Sequence, residues 1–164
     1  MVQLRKHSYG FYQVIPQPSE KDLEAHYQDY YANPDRDDNQ YSFGYTEDEI
    51  RHKQLAIRET RLFASSYPGR LLDIGCGEGF FLDGFGRLGW QVEGVDFTDD
   101  GVRKYFPELQ DRLTIGNVFA DLETRAARGA TYDLIICNNV LEHVLDPVGL
   151  VAAMRNLLGK CWQG

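Results

Sequence analysis

Residues 71–82 read LLDIGCGEGFFL, an apolar run broken by three glycines with one residue between each pair. The run predicts a buried strand ending at Asp73, after which Gly75, Gly77 and Gly79 carry the chain into a helix. Glycine permits positive φ and lets the backbone approach a ligand closely. A helix N-terminus following such a loop offers free N–H groups and about half a positive charge, which favours an anionic ligand group. A nucleotide suits that description. The dinucleotide fingerprint G-x-G-x-x-G would need a third glycine at position 80, where Phe80 stands, so a nicotinamide oxidoreductase is an alternative that rests on fold alone.

Outward from this stretch, short β-type runs alternate with helix-length segments. RLLDI, QVEGVD, RLTIGN and YDLIICN read as four strands, with helices over about 79–88, 99–106, 119–128 and 147–158. This alternation predicts an α/β fold, a Rossmann-like parallel sheet with right-handed crossovers and helices on both faces. The N-terminal third differs. Ten acids stand between Glu20 and Glu49 against Lys21 and Arg36. Nine of the nineteen tyrosines and phenylalanines lie there as well, from Tyr9 to Tyr45, so the segment is too aromatic for a disordered tail. Ser19 is placed to cap a short helix ending before Asn33-Pro34, with Leu23, Tyr27 and Tyr30 at helical spacing. Thr46 and Glu49 form a capping box for a longer helix running up to Tyr67-Pro68. The expected division is therefore a helical, aromatic-rich lead-in over 1–68 and a ligand-binding domain over 69–164.

The second strand ends at Asp96, seventeen residues beyond Gly79. A carboxylate there either caps the next helix or accepts from both hydroxyls of a ribose, and its coincidence with the glycine loop favours the ribose. D-x-G-x-G-x-G, the strand-end acid, GNVFADL and YDLIICNNVLEHVLDP stand in order along one strand–helix chain. This series resembles the class I S-adenosylmethionine-dependent methyltransferases over roughly Gly69 to Leu158. The resemblance implies S-adenosyl-L-methionine as cofactor and methyl transfer to an oxygen or nitrogen of a small-molecule acceptor, with a non-catalytic cofactor-binding module as the alternative. It implies that Asp73, Gly75 and Gly77, with Cys76 and Gly79 in the same loop, hold the methionine part. Asp96 would bind the ribose, and Phe97 would neighbour the adenine. Asn117 and Val118 would edge the adenine, where the family often has aspartate. Asn138 would lie along the cofactor towards the sulfonium. YGFYQVIPQPSEKDLEAHY looks like the lead-in of sugar-modifying methyltransferases, so a sugar is one acceptor class.

His143, in LEHVLDP, is the candidate general base for an acceptor hydroxyl, since an unperturbed imidazole titrates near 6.5; the bland alternative is that Glu142 and His143 open a turn. Relatives with E-x-x-E-H bind a metal, but Asn139 replaces the first glutamate, and two ligands are too few for a site. Cys76 reads as a small filler rather than a nucleophile.

The 164 residues carry a net charge of −8, which repels a phosphate backbone and argues against nucleic acid. No apolar run approaches the ~20 residues of a membrane span. Three cysteines without C-x-x-C spacing point away from disulfides and zinc, and with the missing signal peptide to a cytoplasmic location. The family fold normally has seven strands. Here the sequence runs from the fourth helix into CWQG, so the expected fold is truncated after the fourth strand and its helix. That strand would present an open edge, calling for a second copy or another partner to cover it.

Overall fold

A computed structural model of the chain describes residues 3–19, 21–23, 44–64 and 67–159. Two strands, β1 (Gln3–Lys6) and β2 (Tyr12–Ile15), pair antiparallel in a hairpin of their own. The helix α1 (Glu47–Phe63) follows, and the remaining elements alternate: β3 (Arg70–Ile74), α2 (Phe80–Arg87), β4 (Gln91–Asp96), α3 (Asp100–Tyr105), a 3₁₀ turn over Pro107–Arg112, β5 (Leu113–Ile115), α4 (Val118–Ala127), β6 (Leu134–Cys137), a second 3₁₀ turn over Leu141–His143, and α5 (Pro147–Leu157). The sheet is parallel, in the order β5-β4-β3-β6. The order reverses between β3 and β6, because β3 is followed by β4 on one side while β6 is added on the other. A crevice therefore opens beyond the strand ends at this point, where ligands of open α/β sheets bind.

The pleat divides the apolar residues between two cores. Leu71, Val92 and Ile136 face α2 and α3, packing with Leu82, Phe85, Trp90 and Val102. Leu72, Ile74 and Val95 face α4 and α5, packing with Val118, Leu122, Leu150 and Leu157. Helices thus cover both faces, as the alternation of strands and helices predicts, and each of the four expected strands is present.

The lead-in is not purely helical. The sequence reading placed no strand before Arg70, yet residues 3–15 form the hairpin, whose turn is closed by the His7 N–H donating to the Phe11 carbonyl at 2.7 Å. Four-residue strands flanking an aromatic turn carry too short an alternation to be told from loop. Both expected caps are present. Glu49 N–H donates to Thr46 Oγ1 at 3.3 Å while Thr46 N–H donates to Glu49 Oε2 at 2.7 Å. Asp22 N–H donates to Ser19 Oγ at 3.2 Å, but Tyr27, Tyr30 and the rest of that helix lie outside the described residues. α1 joins the first core through Ile57 and Ala64. Ile57 sits directly on α2 at Gly84, where a Cβ would meet its Cδ1 at 2.8 Å.

Candidate functional site

The glycine loop leaves β3 and turns back over the end of β4. Gly75, Gly77 and Gly79 have φ of 65°, 55° and 85°, a region that L side chains rarely adopt. The loop is pinned to β4: Gly75 and Cys76 donate to the Val95 carbonyl at 2.8 and 3.4 Å, and Gly77 N–H donates to Asp96 Oδ2 at 2.8 Å. Gly79 N–H donates to the Cys76 carbonyl at 2.9 Å and serves as N-cap of α2. No side chain caps that helix, so its first turn is left to an outside group.

Asp96 therefore does two jobs. Its Oδ1 accepts from Phe97 N–H at 2.7 Å and from Thr98 N–H at 3.5 Å, while its Oδ2, which holds the loop, keeps a second lone pair for a ligand hydroxyl. Burial raises its pKa, against the N–H donors of Gly77, Thr98 and Phe97 that lower it. Asp73 is 2% exposed, and its Oδ2 has no hydrogen-bond partner. Burial, and next the charge on Asp96, push its pKa well above the usual carboxylate range. Two carboxyl groups thus stand beneath the loop, Asp96 with acceptor capacity for a ligand hydroxyl and Asp73 with an unsatisfied buried oxygen.

The other predicted residues are placed as follows. Cys76 turns its thiol into the core beneath Gly94, where a Cβ would meet Sγ at 3.0 Å. Burial, and then Asp73 and Asp96, raise that thiol well above its ordinary pKa, so it is an inert filler. Gly116 N–H donates to the Asp96 carbonyl at 2.8 Å and brings the end of β5 alongside. Asn117 is exposed and uses its Oδ1 to cap α4, accepting from Phe119 and Ala120 N–H at 2.9 and 3.3 Å. Val118 is 4% exposed and packs in the second core. Asn138 follows β6 and is exposed. The loop beyond it returns to the crevice, since a Cβ on Gly75 would run into Val140. His143 lies on the exposed 3₁₀ turn, with Nε2 3.9 Å from Glu142 Oε1. Cys137, at the end of β6, has a thiol pushed up to about 11 by burial, then by Asp73 and Glu142.

Two residues escaped the sequence reading. Gly101 in α3 lies flush on the loop, where a Cβ would stand 2.6 Å from the Gly77 carbonyl oxygen and 3.0 Å from Glu78 Cα. Glu78 itself is 5% exposed and pairs with Lys53 of α1 at 3.3 Å. A glycine inside a short helix was the available signal for the first; the second needs the fold. Among the described residues no group of three or more His, Cys, Asp or Glu is placed to hold a metal ion. No helix there is long and apolar enough to cross a membrane.

A parallel sheet with a glycine loop at its switch point and an acid ending the next strand defines a Rossmann-like nucleotide-binding domain. Over residues 48–161 the chain belongs to a methyltransferase domain family. It is 41% identical over 111 residues to a ubiquinone biosynthesis O-methyltransferase of Cereibacter sphaeroides, covering 65% of this chain and 44% of that protein. It is 37% identical over 92 residues to the protein of the same name from Burkholderia multivorans, covering 54% and 39%. The chain thus spans about two fifths of the length of these relatives. Among solved structures, the magnesium protoporphyrin IX methyltransferase of Synechocystis PCC 6803, determined with bound SAM, superposes with a TM-score of 0.59 at 20% identity, over 87% of this chain and 74% of that one. At that identity the likeness speaks for the fold alone.

Proposed function

We propose that the chain binds S-adenosylmethionine and supports transfer of its methyl group to an oxygen of a small-molecule acceptor, a sugar being one class to test. The observation that carries this reading is the pair of carboxyl groups under a positive-φ glycine loop, with Asp73 Oδ2 unsatisfied and Asp96 already gripping the loop. The relatives named O-methyltransferases support oxygen as the methylated atom. When bound, the cofactor supplies an electrophilic methyl group on a sulfonium. The residues of this chain orient and exclude. The backbone around Gly75 and Gly77 seats the methionine part, Asp96 accepts from the ribose, and Phe97 and Asn117 flank the base. Asn138 lines the path to the sulfur. Asp73 stands as a buried carboxyl below the loop, and His143 takes the proton from the acceptor hydroxyl. Most of the rate enhancement then comes from alignment of two held reactants. The free thiols of Cys76 and Cys137 fit a reducing, cytoplasmic setting, and we take residues 1–68 as the cover of the ligand domain. Calorimetry with S-adenosylhomocysteine tests the reading: a single site is expected with wild type, and Asp96→Ala weakens it by about 1.5–3 kcal/mol. Equal affinity in the two proteins, or protection from melting by NAD instead, overturns it.

A further inference from the structure

Glu78 stands between Gly77 and Gly79 in the glycine loop and has no role in the chemistry above. Its side chain is buried, and its Oε1 has no hydrogen-bond partner. Its Oε2 accepts from Lys53 Nζ at 3.3 Å, and Lys53 comes from α1, twenty-five residues earlier in the chain. The ammonium, on a side chain one third exposed, is flanked by two rings: it stands 4.6 Å from the centre of the Tyr45 ring and 5.1 Å from that of Phe80. Those two rings meet edge to face at 5.4 Å, and Tyr105 of α3 closes on both, at 5.4 and 5.8 Å. Such faces attract a cation, most of all where water is excluded. The backbone of Glu78 is held from the other side by Gly101, a Cβ on which would come within 3.0 Å of Glu78 Cα.

We infer that Lys53 is a positioning residue for the glycine loop: by neutralising the buried Glu78 carboxylate from α1, it keeps the Gly75–Gly79 backbone in its ligand-holding shape. Without the ammonium, a carboxylate with one unsatisfied oxygen would stay buried beside Asp96. Breaking a buried pair by removing one partner is far worse than removing both, because the remaining charge is left uncompensated. Relief comes from swinging Glu78 outward, and because Gly101 packs close to its Cα, any part of that swing taken by the backbone falls on the φ and ψ of Gly77 and Gly79. The link also makes α1 part of the ligand site although none of its side chains is assigned to the cofactor. The functional meaning of the inference rests on the cofactor reading above, whereas the loop's dependence on Lys53 does not.

The test is a double-mutant cycle read in two ways. Amide hydrogen exchange is followed over residues 74–80 in the ligand-free chain, and S-adenosylhomocysteine affinity is measured in parallel. Lys53→Met is expected to speed exchange in the loop and to weaken ligand binding by about tenfold or more when Glu78 is present. In the Glu78→Gln background the same substitution should change either quantity by no more than about threefold, because no buried charge is left to strand. Lys53→Arg should retain the wild-type exchange pattern. Exchange over α1 serves as control and stays near wild type in each variant. If Lys53→Met loosens the loop equally in both backgrounds, or in neither, the inference is overturned and Lys53 is only helix packing. If the exchange cycle holds while wild type fails to bind S-adenosylhomocysteine, the positioning role stands and the cofactor reading falls.

Discussion

Asp73 and Asp96 show how one residue type takes two states from its surroundings. Asp96 has backbone donors on both oxygens, while Asp73 has burial and a neighbouring negative charge. A carboxyl whose folded pKa is raised contributes stability that is complete below its unfolded value and is lost as pH rises through the folded value. Asp73→Asn should therefore raise the melting temperature of the ligand-free chain at neutral pH, and this gain should vanish as the pH is lowered to about 4, near the unfolded carboxyl value. The same variant should bind S-adenosylhomocysteine more weakly. A scanning calorimeter with and without ligand reads both effects, and a stabilisation independent of pH would show that the charge is not responsible. His143 is a different case, exposed and paired loosely with Glu142. With a hydroxyl acceptor, His143→Ala should slow methyl transfer by about 10²–10⁴-fold. An unchanged rate would return the histidine to the turn it sits on.

At the scale of elements, the sequence carried the sheet because the apolar residues of β3, β4 and β6 fall on both faces and α1, α2, α4 and α5 each start at a glycine or a capping side chain. The Thr46 cap was visible as sequence, whereas Asn117 reads there only as an adenine neighbour and its cap on α4 comes from the structure. What stayed hidden depends on contacts between distant segments. Ile57 on Gly84, Gly101 on the loop and Lys53 against Glu78 each join residues with no sequence pattern linking them. Gly101 offers the sharpest trial. Gly101→Val brings branched carbons against the Gly77 carbonyl from a buried helix, so ligand affinity should fall by about tenfold or more, by the logic that overfilling a packed site costs 1–3 kcal/mol. Circular dichroism should stay close to native, because α3 is only six residues long. Retained affinity in a folded variant would mean that the loop yields to α3.

For the molecule as a whole, the outer side of β6 is the open question. Among the described residues β6 has one strand neighbour, β3, and beyond it only the parallel bridge between Tyr132 and Leu158. A groove there is lined by β6 and by Glu59, Thr60 and Phe63 of α1, together with Phe81 of α2. Backbone groups left unpaired among the described residues beside Ile135, Ile136 and Cys137 would admit a second copy, with burial at ~25 cal/mol per Å² set against a screened net charge. Light scattering across a concentration series should show association; a monomer at every concentration removes the idea.

The opposite end of the sheet is tied down differently. Glu93 of β4 accepts from Arg70 of β3 at 2.7 Å and from Arg125 of α4, which also pairs with Asp121. The Tyr132 hydroxyl accepts from Arg125 at 2.6 Å and donates to Glu93 at 2.9 Å. Prising the strands apart there separates opposite charges inside a half-buried cluster, whereas at the glycine end it parts mainly backbone hydrogen bonds and van der Waals contact. The work of opening is thus expected to be unequal along the sheet, larger at Glu93 than at the glycine loop. Amide hydrogen exchange along β3 and β4 should then be slower beside Glu93 than at the end where the proposed ligand enters, and equal exchange at both ends would remove that asymmetry.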